Sequence, residues 1–148
     1  MLKLPPPIWA LAYMLIAAGA SWLAGWPRVP GLPLVWLAVG LIIFGFTLAV
    51  AATVLFRREG TELNPTSTAN RKLVTSGPFR LTRNPMYLAL VILALGVAFW
   101  VGAWPMFLAP IAIFATANWV YVPFEEHKMR RQFGEAFDAY ARKVRRWI

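Results

Sequence analysis

The chain has no cysteine and only one histidine, His127. The first absence excludes a disulfide framework, a thiolate nucleophile and a cysteine-ligated metal. The second excludes a histidine cluster around a metal. Acidic residues are scarce as well: Glu59, Glu62, Glu125, Glu126, Glu135 and Asp138 stand against fifteen Lys and Arg. Four long stretches, about 8–25, 32–56, 85–101 and 103–122, carry no charge at all, which argues against an ion or proton pathway through them. No Gly-x-Gly-x-x-Gly fingerprint is present, which disfavours a dinucleotide-dependent reductase. Any chemistry must therefore come from carboxylates, arginines, tyrosines and whatever a bound cofactor brings.

What remains is overwhelmingly apolar. Hydrophobic residues make up 59% of the chain, eight of them Trp, and the mean hydropathy is positive. An ordinary soluble domain is not built this way. Each uncharged stretch falls in the roughly 17–25 residues that a helix needs to cross a bilayer. The first does not read as a secretory signal, because only Lys3 precedes it and a second stretch follows closely. The expectation is an all-α integral membrane bundle, a single domain over 1–148. It has four transmembrane helices, a cytoplasmic loop over 57–84 and a cytoplasmic C-terminal amphipathic helix over 124–147.

The net charge of +9 invites a nucleic-acid partner, but its placement has another explanation. With the amino terminus inside, 14 of the 15 basic residues fall in 1–7, 57–84 and 123–148, leaving Arg28 outside. That asymmetry is the positive-inside rule, and it puts both termini in the cytoplasm. The partner implied is the bilayer, with anionic lipid attracting the basic face; neither nucleic acid nor a metal is called for.

The outer connections are short, so the first and second helices, and the third and fourth, are antiparallel neighbours. Pro5-Pro6-Pro7 keeps the approach to the first span extended. Gly40, Gly45, Ala38, Ala49 and Ala52 offer small surfaces for close helix packing. The loop over 57–84 carries turn signals at Gly60 to Pro65 and Ser76-Gly77-Pro78, while Leu63, Leu73, Val74, Phe79 and Leu81 favour packing back on the protein. In the tail, Met129, Phe133, Phe137, Tyr140, Val144 and Trp147 form one apolar stripe at helical spacing, suiting a helix in the interface. Gly134 interrupts it at up to about 1 kcal/mol relative to Ala. It marks either close contact with the loop or a ligand, or a break.

Two polar clusters flank the later spans. In Arg83-Asn84-Pro85, Asn suits a helix N-cap and Pro the first helical position. Arg80 and Arg83 beside a helix start make a reasonable carboxylate or phosphate site, and positive-inside anchoring explains them equally well. Glu125-Glu126 follows Pro123, where acids favour the helix dipole. These carboxylates also suit an ammonium or a ribose. Being adjacent on a helix they point in different directions and do two jobs rather than share a proton. Tyr87, one turn into the third span, reaches the same surface or belongs to an aromatic belt.

The ordered set Gly77-Pro78-Phe79-Arg80, Arg83-Asn84-Pro85-Met86-Tyr87, Glu125-Glu126 and Phe133-Gly134 with Phe137 and Tyr140 resembles the isoprenylcysteine carboxyl methyltransferase and phospholipid methyltransferase superfamily. The match covers roughly 77–147. Asn84 stands where that family more often has His, Phe137 where it has Tyr, and Val144-Arg145-Arg146-Trp147 where it has Val-Pro-Arg. The resemblance implies an integral-membrane enzyme that uses S-adenosylmethionine, bound on the cytoplasmic side between the last two spans and the tail. It implies Arg83 on the cofactor carboxylate, with Gly77, Arg80, Asn84, Pro85 and Tyr87 shaping the pocket. Glu125 or Glu126 would take its amino group or ribose. For catalysis it implies Arg83, Glu126 and Tyr140, with the carboxylate not on the cofactor, or Tyr140, orienting or deprotonating the acceptor. That acceptor would be lipidic or small and apolar, like an isoprenylcysteine carboxylate or a phospholipid amine. The competing reading is a non-enzymatic small transporter or assembly protein whose end charges serve topology alone.

Overall fold

The computed structural model describes residues 5–29, 34–59 and 73–148, and the described residues are all-helical apart from short connections. Helix α1 spans Pro6–Leu23 and α2 spans Val35–Arg58. A 3₁₀ turn at Gly77–Arg80 leads to α3, Pro85–Val101. A second 3₁₀ turn, Trp104–Phe107, runs into α4, Leu108–Thr116. A π turn at Ala117–Tyr121 then joins α4 to α5, Val122–Phe133, and α6 follows at Glu135–Lys143. The expected turn at Gly60 to Pro65, and Leu63, lie outside the described residues.

Three of these helical stretches are long and apolar enough to cross a membrane: Pro6–Leu23, Val35–Arg58 and Trp104–Phe133. Helix α3 is apolar but has 17 residues, about 26 Å at 1.5 Å per residue, just under the roughly 30 Å hydrocarbon core. The outer surfaces of the long helices are themselves apolar, with Leu15, Ile16, Trp22, Trp36, Ile43, Phe44, Phe46 and Trp119 exposed. A soluble bundle hides such residues, whereas in lipid they face a matching solvent.

Helix α3 is the central helix, and its small residues decide how closely α2 approaches. A Cβ built on Gly45 would meet Leu93 Cγ at 2.9 Å and the Ala89 carbonyl oxygen at 3.1 Å. One on Gly96 would meet the Ala38 carbonyl oxygen and the Ile42 nitrogen, both at 3.1 Å. Gly45 and Gly96 therefore let two backbones touch, as membrane helices do when no hydrophobic effect drives them together. Ala38 and Ala52 are fully buried. Gly40, expected at the same seam, faces open space, and Ala49 is only half-buried. Gly96→Leu is therefore expected to lower stability by about 1–3 kcal/mol through overpacking. Gly40→Leu should be nearly neutral by thermal unfolding in the same detergent.

At one end of the bundle the two short connections lie side by side. The Val29 N–H donates to the Gly102 carbonyl at 2.9 Å, and the Trp104 N–H to the Pro27 carbonyl at 3.1 Å. The α1–α2 and α3–α4 connections therefore share that end, and the polar clusters occupy the other. A core of Trp9, Tyr87, Ile113, Tyr121 and Val122 supports the polar end. Ala17, Ala98, Met106 and Ala109 fill the opposite half. The segment before α3 is pinned by Val74 and Phe79, which pack with Ala52, whereas Leu81 is exposed.

The tail departs from the single helix expected over 124–147. First, Pro123 does not separate span from tail, since the helical rod runs unbroken from Trp104 to Phe133. A proline in an α-helix crowds the carbonyl four residues earlier, and the wider π turn just before it, where the Val122 N–H reaches back to the Ala117 carbonyl, gives the chain room. Second, the rod breaks at Gly134, with φ +51 and ψ −126 and nothing near a Cβ built there. The glycine answers a backbone requirement rather than a close contact. Third, α6 stops at Lys143, and Val144 is extended.

Candidate active site

Residues 144–147, non-helical with bends at Val144 and Arg146, cross the start of α3 as a strap, and hydrogen bonds explain why they leave the helix. The Arg83 N–H donates to the Arg145 carbonyl at 3.0 Å. Thr82 Oγ1 and Asn84 Nδ2 donate to the Arg146 carbonyl at 3.1 and 2.9 Å. Pro85 opens α3 as its spacing suggested, but the Asn84 side chain makes no cap bond; it ties down the strap instead. Thr82 Oγ1 accepts from the Asn84 N–H at 3.1 Å, so both polar side chains before the helix are satisfied and buried.

Arg83, Glu126 and Arg146 form one ionic cluster beneath the strap. Arg83 Nη2 lies 3.0 Å from Glu126 Oε1, and Arg146 Nη2 lies 2.7 Å from Oε2. Arg146 Nε also donates to Oε1 at 3.2 Å. Arg83 Nη1 reaches the Ala141 carbonyl at 3.3 Å, while its Nε is buried with no hydrogen-bond partner. Two guanidiniums against one carboxylate leave a net positive charge and one unmet donor. Such a donor suits a water or a further anion.

Glu125 is turned away from this cluster, as a step of one residue on a helix requires. It accepts a hydrogen bond of 2.6 Å from the Tyr87 hydroxyl. Tyr87 sits 6.0 Å, ring to ring, from Tyr121, which stacks on Trp9 at 5.2 Å. The second carboxylate thus stands beside a wall of aromatic rings, an environment that attracts soft cations.

Tyr140 donates to the Phe79 carbonyl at 2.7 Å, linking α6 to the 3₁₀ turn. Burial pushes its phenol up to about 12, with the Arg83 guanidinium partly offsetting the rise. A folded pKa raised above the ordinary 10.0 favours the neutral donor. Its stabilisation is full below about pH 10 and is lost as pH climbs through the folded value. Tyr140→Phe should therefore remove one late step from the phenolate absorbance titration and flatten the fall in stability between pH 10 and about 12.

Of the residues expected at the site, Arg83, Asn84, Pro85, Tyr87, Glu125, Glu126 and Tyr140 gather at one end of the bundle. Gly77 and Arg80 are exposed on the 3₁₀ turn. Gly77, at φ +57, lies against Leu55 and lines an outward groove with Pro78, Val54 and Arg58. Thr82 and Asn118 were not singled out in the sequence. Arg146 and Trp147 were noted there only in the tail's apolar stripe and its Val144-Arg145-Arg146-Trp147 ending, where Arg146 falls on the arginine of the Val-Pro-Arg pattern, and were assigned no place in the site. Among the described residues, no three His, Cys, Asp or Glu side chains gather as metal ligands.

Residues 33–136 match the phospholipid methyltransferase family. The chain belongs to that family. It is also 30% identical, over 126 residues, to protein-S-isoprenylcysteine O-methyltransferase B of Arabidopsis thaliana. That alignment covers 78% of this chain and 61% of the relative, so the chain spans under two thirds of the relative's length. The family match takes in Arg83, Tyr87, Glu125 and Glu126 and stops before Tyr140 and the strap. The ionic cluster thus joins two residues inside the family match to one, Arg146, beyond it.

Proposed function

We propose that this chain is an S-adenosylmethionine-dependent methyltransferase whose acceptor is lipidic or small and apolar, working at the cytoplasmic face of a membrane. The observation that carries the reading is the net-positive cluster of Arg83, Glu126 and Arg146, with the unpartnered Arg83 Nε, next to a carboxylate set among aromatic rings. An amino acid that also bears a sulfonium matches this donor set. Its carboxylate suits Arg83, and its cationic groups suit Glu125 with Tyr87 and Tyr121. Membership in the phospholipid methyltransferase family and the similarity to an isoprenylcysteine O-methyltransferase support the reaction class.

When bound, the cofactor supplies a methyl group on a positively charged sulfur, open to in-line displacement by an acceptor atom. The protein's part is alignment and exclusion of water, worth several kcal/mol. Asn84 and Thr82 are tied to the strap and hold its backbone over the site. Tyr140, kept neutral and with its proton given to the Phe79 carbonyl, orients a group by accepting a hydrogen bond rather than abstracting a proton. The apolar outer surface lets an acceptor reach the rim sideways while its tail stays in hydrocarbon. In this reading α3 is a fourth crossing, shortened and enclosed by its neighbours. The shared end of the two short connections is the outer face, and both termini lie inside with the basic residues.

The test is calorimetric titration of the detergent-purified chain with S-adenosylmethionine. Binding in the micromolar range is expected, and no binding at millimolar ligand by folded protein would remove the reading. Incubation with labelled cofactor and a total lipid extract should then reveal the species that gains the label.

A further inference from the structure

We propose that Arg146, in the C-terminal strap, is a positioning residue, acting through Glu126 to hold Arg83 ready for an anion. This rests on the reading that Arg83 receives the cofactor carboxylate. Arg146 grips both oxygens of Glu126, Nε to Oε1 at 3.2 Å and Nη2 to Oε2 at 2.7 Å. That two-pronged pairing fixes the plane of the carboxylate as well as its place. The same Oε1 meets Arg83 Nη2 at 3.0 Å, so the orientation of Glu126 sets where the Arg83 fork points. With Arg146 in place, Glu126 is compensated without drawing all the donors of Arg83 to itself. Arg83 Nε is left buried and free. Without Arg146, Glu126 is free to turn and take the Arg83 guanidinium with both oxygens, and the unmet donor closes on it.

The strap that carries Arg146 is held independently of this ionic pair. Its backbone takes the hydrogen bonds from Arg83, Thr82 and Asn84. Its indole, Trp147, donates to Asn118 Oδ1 at 3.0 Å and packs on Phe114, ring centroids 4.7 Å apart. Asn118 lies in the π turn, a local widening that recurs at functional sites. Two anchors therefore pin the strap on either side of one guanidinium, and a tail that only covered the bundle would not need that guanidinium on the one carboxylate shared with Arg83.

The experiment compares S-adenosylmethionine affinity, by calorimetry on the full chain in detergent, for wild type, Arg146→Ala, Arg146→Lys and Trp147→Phe. Arg146→Ala should bind roughly ten- to hundredfold more weakly, the scale of a lost charge-assisted hydrogen-bond pair. Millimolar methylguanidinium should recover part of that loss, because Arg146 is a third exposed and the planar fork is what is missing. Methylammonium should recover little, and Arg146→Lys should fall between wild type and Arg146→Ala. Trp147→Phe keeps the packing on Phe114, loses the bond to Asn118, and should weaken binding by a smaller factor. Wild-type affinity in Arg146→Ala overturns the proposal. A loss that merely tracks the folded fraction, with no response to methylguanidinium, overturns it too, since the tail is then scaffold. If wild type itself fails to bind, the cofactor reading falls and this inference with it. Wild-type binding beside an unaffected Arg146→Ala sinks the role of Arg146 alone.

Discussion

Glu126→Ala should lose about 3 kcal/mol of stability together with all measurable S-adenosylmethionine binding, and the two losses have one cause. The Glu126 side chain is 9% exposed and sits between Arg83 and Arg146. Removing it leaves two guanidiniums facing each other with no negative charge between them. Breaking a buried pair by deleting one partner costs about 3–5 kcal/mol. The lower end applies because Arg146 retains access to solvent, which screens its charge. The pair is not thereby shown to stabilise the fold relative to apolar residues; the cost is that of stranding the partners. Unfolding in detergent, followed by circular dichroism, measures the first effect and calorimetry the second. The double variant Glu126→Ala/Arg146→Ala should recover part of the stability and none of the binding, because only one uncompensated guanidinium remains. A Glu126→Ala protein as stable as wild type would show that the ionic cluster is not formed.

Glu125→Gln should behave in the opposite way, keeping the fold to within about 1 kcal/mol and weakening cofactor binding roughly ten- to hundredfold. Glutamine retains an oxygen to accept the 2.6 Å hydrogen bond from Tyr87, so packing against the aromatic wall survives. What disappears is the ionisable carboxyl beside those rings, which is the feature suited to a cation. Tyr87→Phe, which leaves the carboxyl but frees it to rotate, should show a smaller effect of the same sign. Should Glu125→Gln bind as wild type while Glu126→Gln does not, the cationic groups are recognised at Glu126 and the division of labour drawn here is reversed. Adjacent carboxylates with separate tasks follow from the helix itself, which turns successive side chains apart; which takes which task follows from what the neighbouring helices bring up to them.

The membrane character was legible because it depends on amount and placement. Uncharged stretches of 17 to 25 residues need no partner to announce themselves, and the crowding of basic residues in the segments between and after them is the basis for the proposed orientation. The polar residues that meet at one end of the bundle stood out for a related reason. Arg83-Asn84-Pro85 and Glu125-Glu126 are polar groups at the margins of apolar helices, where a polar group is conspicuous.

Other features were hidden because they depend on contact. Gly96 was not among the small residues expected to pack, and only the Ala38 carbonyl at 3.1 Å from its would-be Cβ makes it a packing position, while Gly40, expected at the seam, faces open space. The stripe from Met129 to Trp147 has helical spacing to its end, yet the helix breaks at Gly134 and stops at Lys143. Periodicity records which face of a segment is apolar. It does not record that Arg83, Thr82 and Asn84 will offer donors to the carbonyls of Arg145 and Arg146, which compensate the chain for leaving its own ladder.

Sequence alone determined that this protein is built for a membrane and which segments carry its charge, since burial of apolar length and the cost of charge in lipid are properties of each segment by itself. Tertiary structure alone decided that Arg83 and Glu126 meet, that Arg146 comes from the last few residues to grip the same carboxylate, and that Glu125 is left to Tyr87. An ion pair or a side-chain hydrogen bond is made between atoms about 3 Å apart, and across 20 to 43 residues of chain only the packing of helices brings atoms that close.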